Sequence, residues 1–292
     1  MSVTRVGTDV WACIAEWLTV QDRCRLQETS RYFRETARLS KMWRRAQDVH
    51  CVPMTVLRRW TQVTRLSFTP RTGVDLRVIN RLTKLTALQL PRRPFTRLNQ
   101  LDKLTQLRAF DVQHTYLVDA WAIGDWSGLR DLQLAGCTLD PGTSFSWLRR
   151  LQHLEHLDLS YTAFSSLCDV AGLTKLKSLN VRNTKVKSLR GLTRLTNLEY
   201  LDVSRSWVRS VQEVAGLPKL KTLILDSSTI TDLTPLAKLP NLRVNNLASV
   251  RQTPDHLYSV CDSSQIRQAT VHFTGDISSF LGITPAERFL CR

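Results

Sequence analysis

LQHLEHLDL at 151–159, LTKLKSLNV at 173–181, LTNLEYLDV at 195–203 and LPKLKTLIL at 217–225 are copies of one unit, L-x-x-L-x-x-L-x-L, and LTKLTALQL at 82–90 is another. Looser copies begin at Trp60, Leu104, Trp126 and Leu239. Successive starts lie 22 residues apart except between Trp126 and Leu151, where the interval is 25. Spacing this regular marks stacked structural repeats rather than a chance abundance of leucine. The closing L-x-L of each unit is a short strand with alternate side chains turned inward. The leucines that follow it, such as Leu167, Leu189 and Leu233, fit a tight 3₁₀ return on the opposite side. One strand and one return bury too little alone, so neighbours stack into a continuous core with parallel strands along one face.

This pattern resembles the leucine-rich-repeat family in its short, 22-residue form. The chain departs from the family where an asparagine usually follows the strand. Thr115, Cys137, Thr162, Thr184, Ser206 and Ser228 stand there instead, and their hydroxyl and thiol groups are expected to bond the turn locally. The three extra residues of the long unit fall near Leu139-Asp140-Pro141-Gly142-Thr143, which predicts a surface loop. After Leu242 the period stops; a helix start at Thr253-Pro254-Asp255, the stretch ATVHF and a final amphipathic FLGITPAERFL predict a cap over the open end of the core.

Residues 6–45 follow a different grammar. Val10, Trp11, Ile14, Trp17 and Leu18 share one helix face begun by Thr8-Asp9, a capping-box start follows at Thr19–Asp22, and Tyr32, Phe33, Ala37 and Leu39 supply a third stripe. Three short helices hide little area and need a partner or the solenoid end to lean on. The segment is a helical cap on the first repeat, or something more specific. It resembles the F-box, because Asp9, Ile14, Leu18, Asp22, Leu26, Ser30, Phe33 and Met42-Trp43 match that motif in order and spacing. It departs from it at Val6-Gly7, where the family has Leu-Pro, and at Arg23, Glu28 and Thr29. The resemblance implies docking of a Skp-type adaptor through Val6, Gly7, Val10, Trp11, Ile14, Leu18 and Leu26.

Together these readings predict an α/β leucine-rich-repeat solenoid of about eight to nine 22-residue repeats over 51–244, with a parallel β face and a 3₁₀ or irregular convex side. An N-terminal three-helix F-box-like module (1–50) and a C-terminal α+β cap (245–292) flank it.

Composition narrows the function. No apolar run reaches membrane-spanning length, and acids at Asp9 and Glu16 argue against a targeting leader, so a soluble chain without membrane association is expected. The cysteines are seven, scattered and without a C-x-x-C, which suggests reduced thiols in the cytoplasm or nucleus. His153 and His156 form the one close histidine pair, and the repeat register points them in different directions; no metal or cofactor is expected. Nucleotide-binding, hydrolase and metalloprotease motifs are missing, so the chain is read as non-enzymatic.

Two surfaces stand out. The strand register puts Asp111, Asp158, Asn180 and Asp202 in one column of the concave face, flanked by His156 and Tyr200 on one side and by His114, Tyr161, Arg182 and Arg205 on the other. Exposed tyrosine and arginine are common at interface hot spots. The second surface is basic. Net charge is +16, and residues 173–194 hold Lys175, Lys177, Arg182, Lys185, Lys187, Arg190 and Arg194 with no acid. A basic solenoid implies an acidic partner; nucleic acid is the weaker candidate, because no aromatic stacking platform accompanies the cations. In the F-box family, a module of this kind ahead of such repeats is the substrate receptor of a Skp-cullin ligase, which implies binding to the adaptor and cullin core and to a target protein with an acidic surface. The alternative is a basic scaffold subunit of a ribonucleoprotein or cytoskeletal assembly.

Overall fold

The computed structural model describes residues 48–50, 63–68, 75–92, 96–226, 230, 232–239 and 242–245. Val6, Gly7, Val10, Trp11, Ile14, Leu18 and Leu26 lie outside the described residues, as do the three expected N-terminal helices and the C-terminal cap.

The strands in chain order are β1 (Asp48–His50), β2 (Arg65–Ser67), β3 (Ala87–Gln89), β4 (Ala109–Asp111), β5 (Tyr116–Leu117), β6 (Asp131–Gln133), β7 (Thr138–Leu139), β8 (His156–Asp158), β9 (Ser178–Asn180), β10 (Tyr200–Asp202), β11 (Thr222–Ile224) and β12 (Arg243–Asn245). Ten of them form one parallel sheet in the order β1-β2-β3-β4-β6-β8-β9-β10-β11-β12, while β5 and β7 pair separately beside it. Sheet order therefore follows chain order, as a stack of repeats requires. The first rung, Asp48-Val49-His50, is one more than the leucine pattern shows. It carries a single apolar residue and lies closer to β2 in sequence than the repeat period.

Register explains the leucines. Val49, Leu66, Leu88, Phe110, Leu132, Leu157, Leu179, Leu201, Leu223 and Val244 fall in line across the ten strands. From Leu66 to Val244 they are buried, while the residues beside them are mostly part-exposed. Each such side chain contributes about 1.5–3 kcal/mol on leaving water. Among the described residues the return side is built from short 3₁₀ segments, including Leu98–Leu101, Ala120–Asp125, Ser146–Arg150 and Leu167–Asp169, and a short α-helix at Leu76–Ile79. Buried Asp119 joins neighbouring returns by accepting the backbone N–H groups of Leu98 and Asn99, at 2.5 and 2.9 Å. In the long unit, Pro141 and Gly142 are exposed in the expected loop, and the room behind it is filled by Phe145 set edge-on against Phe164 at 5.2 Å.

The turn after each strand also repeats. Arg92, His114, Gly136, Tyr161, Asn183 and Arg205 occupy equivalent positions, and all have φ between 52° and 66°. Each donates its N–H to a carbonyl one rung on, at 2.7–2.9 Å, so the ladder continues past the strand and pins the left-handed turn. Gly136 is the one glycine of the column; a Cβ there would lie 2.3 Å from the present position of the His114 ring, an exposed side chain that would have to turn aside. The buried hydroxyl and thiol residues come next. Thr162, Thr184 and Ser206 donate to the carbonyls of Leu159, Val181 and Val203 at 2.6, 2.7 and 2.5 Å, closing the turn locally as expected. Cys137 instead reaches back one repeat, to the Val112 carbonyl at 3.0 Å. Burial pushes its thiol pKa up to about 12.

Candidate partner-binding face

Because β4, β6, β8, β9 and β10 stand side by side in register, the concave residues singled out in the sequence form one continuous surface. Asp111, Gln133, Asp158, Asn180 and Asp202 align in the outer column, and Ala109, Asp131, His156, Ser178 and Tyr200 in the inner one. His114, Tyr161 and Arg205 stand exposed in the left-handed turns at the strand ends, with half-buried Arg182 beside them. His153 leaves this surface and places its Nδ1 3.3 Å from the Ser127 carbonyl, so the two histidines are separated as expected.

The outer column does structural work that its residue types alone do not reveal. Asp111, Asp158, Asn180 and Asp202 each accept, through Oδ1, the backbone N–H two residues on, at 3.2, 2.8, 3.0 and 2.8 Å. These are Asx turns, which lead the chain out of the strand into the left-handed residue. Asp202 is buried and also accepts the Ser204 hydroxyl at 2.5 Å. The second oxygen of Asp158 takes the Asn180 amide at 3.0 Å, linking two rungs. What a partner meets is the outer side of a hydrogen-bonded turn series.

The middle of the face is electronegative. Burial raises the pKa of Asp111 above the ordinary carboxylate value, and nearby Asp131 and Asp158 add to the effect. Tyr200 is raised likewise, by burial and then by Asp202 and Asp158. The rim is cationic and aromatic. Arg182 donates from Nε to the Tyr161 hydroxyl at 3.1 Å, which raises the arginine pKa, and its guanidinium lies 3.9 Å from Asp226. An acidic target surface therefore suits the rim, whereas the centre calls for donors or cations.

Trp207 was not singled out in the sequence. It is 62% exposed, more than Tyr161 at 48%, and follows Arg205 by two residues at the same end of the strands. The signal for it is positional: Tyr116, Thr138, Ala163 and Lys185 occupy the matching place in other repeats, so this is a solvent position that carries a tryptophan.

Of the seven cations in residues 173–194, Arg182 stands on the rim described above, and the other six, expected to form one basic patch, divide. Lys177 belongs to an ion-pair ladder at the opposite ends of the strands. There Glu155 holds Arg130 at 3.0 Å and Lys177 at 2.7 Å, and Glu199 holds Lys221 at 2.6 Å. Hydrogen bonding to Lys177 and Lys221 lowers the pKa of Glu155 and Glu199 respectively. Lys185, Lys187 and Arg190 line a common groove with Ser165, Ser166, Leu167, Cys168 and Ser188. Lys175 and Arg194 are exposed outside it. Among the described residues no group of three or more His, Cys, Asp or Glu side chains could hold a metal, and no helix is long and apolar enough to cross a membrane.

A family model described as a leucine-rich repeat region matches residues 118–288, more than half of the chain. The chain belongs to the leucine-rich-repeat family. The match extends past β12, the last described strand of this leucine-rich-repeat protein. Solved structures agree on the fold. An internalin (inlF) of Listeria monocytogenes superposes with a TM-score of 0.58 at 22% identity, covering 75% of this chain and 67% of that one. Internalin C2 of the same species gives 0.54 at 24% identity, with 74% and 79% covered. A Leptospira interrogans leucine-rich-repeat protein gives 0.53 at 16% identity, with 81% and 74% covered. No curated protein matches the sequence. Leucine-rich repeats serve as protein-interaction modules, and the face described above is where such an interaction has side chains to use.

Proposed function

We propose that this leucine-rich-repeat protein is a non-enzymatic substrate receptor that captures a protein target on the strand face and presents it for ubiquitination. The observation that carries the binding half is the exposed pair Tyr161 and Trp207, set with Arg182 and Arg205 along one end of the sheet. Aromatic and arginine side chains are the types that dominate interface energetics, and of the three large exposed rings among the described residues, Tyr161 and Trp207 share this end of the strands while Trp121 lies apart in the Ala120–Asp125 return. The delivery half rests on sequence: the ordered F-box-like match from Asp9 to Trp43 stands ahead of the repeats. In this reading Val10, Trp11, Ile14 and Leu18 dock a Skp-type adaptor, which brings the cullin core, in the cytoplasm or nucleus.

Affinity purification tests the two halves separately. The full chain is expected to recover the adaptor and a target. Trp11→Glu with Leu18→Glu should lose the adaptor and keep the target, while Tyr161→Ala with Trp207→Ala should do the reverse. Failure of the unmodified chain to recover any Skp-type adaptor would end the ligase reading. The +16 charge favours a second reading, a basic scaffold subunit of a ribonucleoprotein or cytoskeletal particle. Salt-resistant co-sedimentation with such a particle is its signature, and a free monomer in extract counts against it.

A further inference from the structure

Between the repeats that carry β8 and β9 lies an open groove of about 450 Å³. Ser165, Ser166, Leu167 and Cys168 form one wall, and Lys185, Lys187, Ser188 and Arg190 the other. Its shape follows from the local chain. Lys185 and Lys187 flank buried Val186, and both are exposed and line the groove. Gly191, at φ 102°, then brings the backbone so close to the preceding repeat that a Cβ there would meet the Leu167 carbonyl oxygen at 3.0 Å.

The charge in this groove is uncompensated. Among the described residues, Lys185, Lys187 and Arg190 have no ion-pair partner. The acid nearest in sequence, Asp169, is held by Arg149 at 2.9 Å and does not line the groove. Residues 173–194 contain no acid. The Ser188 hydroxyl accepts the Arg190 N–H at 3.2 Å and keeps its own proton to donate.

We propose that this groove binds a phosphomonoester carried by the partner protein, so that recognition depends on phosphorylation of the target. The inference rests on the receptor reading above. A phosphomonoester brings a charge of about −1.5 to −2 and three acceptor oxygens at neutral pH. It meets two ammonium groups, one guanidinium and three hydroxyls, the donor set such a group takes. A protein source fits better than nucleic acid: no aromatic ring lines the groove, and a phosphodiester offers one negative charge to three cations. The chain at Trp207 runs beside the groove, because its backbone N–H donates to the backbone carbonyl of Val186, between the two lysines, at 2.9 Å.

Cys168 supplies a reporter, being exposed on the groove wall. Its alkylation by iodoacetamide is followed by peptide mass spectrometry on the full chain, with four probes: an acetylated Gly-phosphoserine-Gly amide, its unphosphorylated form, inorganic phosphate and oligothymidylate. The phosphopeptide is expected to slow alkylation at least about threefold, with the effect weakening as salt rises, and the unphosphorylated peptide to have no effect. Lys185→Gln, Lys187→Gln and Arg190→Gln together should abolish protection. A variant of equal charge change outside the groove, Lys175→Gln, Arg194→Gln and Lys238→Gln, should retain it. Absence of protection, its loss in the charge-matched variant, or equal protection by oligothymidylate or inorganic phosphate would overturn the proposal. No partner enters this measurement, so a negative result leaves the receptor reading to the Tyr161 and Trp207 variants.

Discussion

Arg182 donates its Nε–H to the Tyr161 hydroxyl one rung away, at 3.1 Å. The bond holds a half-exposed ring and a guanidinium in one orientation at the ends of β8 and β9, so a partner meets a pre-ordered pair and pays less side-chain entropy to bind it. Tyr161→Phe removes the hydroxyl while keeping the ring. It is expected to weaken target capture less than Tyr161→Ala, and Trp207→Ala is expected to cost at least about tenfold in affinity. Quantitative pull-down against a target concentration series measures each loss. Since Trp207 is exposed, its removal should leave the unfolding free energy within about 0.5 kcal/mol of the parent value.

The leucine column makes the opposite prediction. Leu201→Ala, in the fully buried line of β10, opens a cavity between neighbouring rungs and should cost about 2–5 kcal/mol. Urea unfolding followed by circular dichroism gives the number. A loss under 1 kcal/mol would mean that the rungs collapse freely, against the close packing seen along the column.

Asp119 tests the coupling of returns. Asp119→Ala leaves the Leu98 and Asn99 N–H groups without their acceptor in a largely buried site, at a cost of about 1–3 kcal/mol. Asp119→Asn keeps one acceptor oxygen and should fall between. The same unfolding experiment separates the three proteins.

Stability should respond to pH through Asp111. Its folded pKa is raised, chiefly by burial and then by neighbouring carboxylates, so the folded state takes up a proton more readily than the unfolded chain. The contribution is fully present below the unfolded carboxylate pKa and is lost as pH rises through the folded value. Asp111→Asn keeps an acceptor for the Gln113 N–H without the charge, and is expected to raise the urea midpoint at neutral pH. The advantage over the parent should shrink on acidification through the carboxylate range.

The two described cysteines should differ in reactivity. Burial holds the Cys137 thiol near pKa 12, and it donates to the Val112 carbonyl, so alkylation there requires unfolding. Cys168, exposed on the groove wall, should react in the native protein. Site-resolved mass spectrometry in native buffer and in urea distinguishes them.

The repeats and their register were legible because burial forces a leucine to recur at each rung. The concave columns followed from the two-residue alternation of a strand, and the structure brings Asp111, Asp158, Asn180 and Asp202 together as that alternation requires. Their turn-forming bonds were not legible, because a short polar side chain suits both a turn and a partner. The basic patch misled for a geometric reason. Lys177 precedes strand β9 and Lys185 follows it, so residues close in sequence leave opposite ends of a rung, and the ion partner of Lys177 lies one repeat back at Glu155. Trp207 escaped notice because tryptophan is ordinarily counted as core; only its place in the repeat reveals it as surface. Asp48–His50 shows the converse, a rung recruited by backbone pairing with a single apolar residue to announce it.

The left-handed turns divide labour along the solenoid. Glycine would occupy each of them more comfortably, by about 1 kcal/mol per position, yet five of the six carry large or polar side chains: Arg92, His114, Tyr161, Asn183 and Arg205. Because the N–H of each is bonded to the next rung, the backbone holds its shape whatever stands there. These positions form a row of interchangeable letters on a fixed frame. A repeat protein of this design can change what its rim offers one residue per repeat, while the leucines behind it stay as they are.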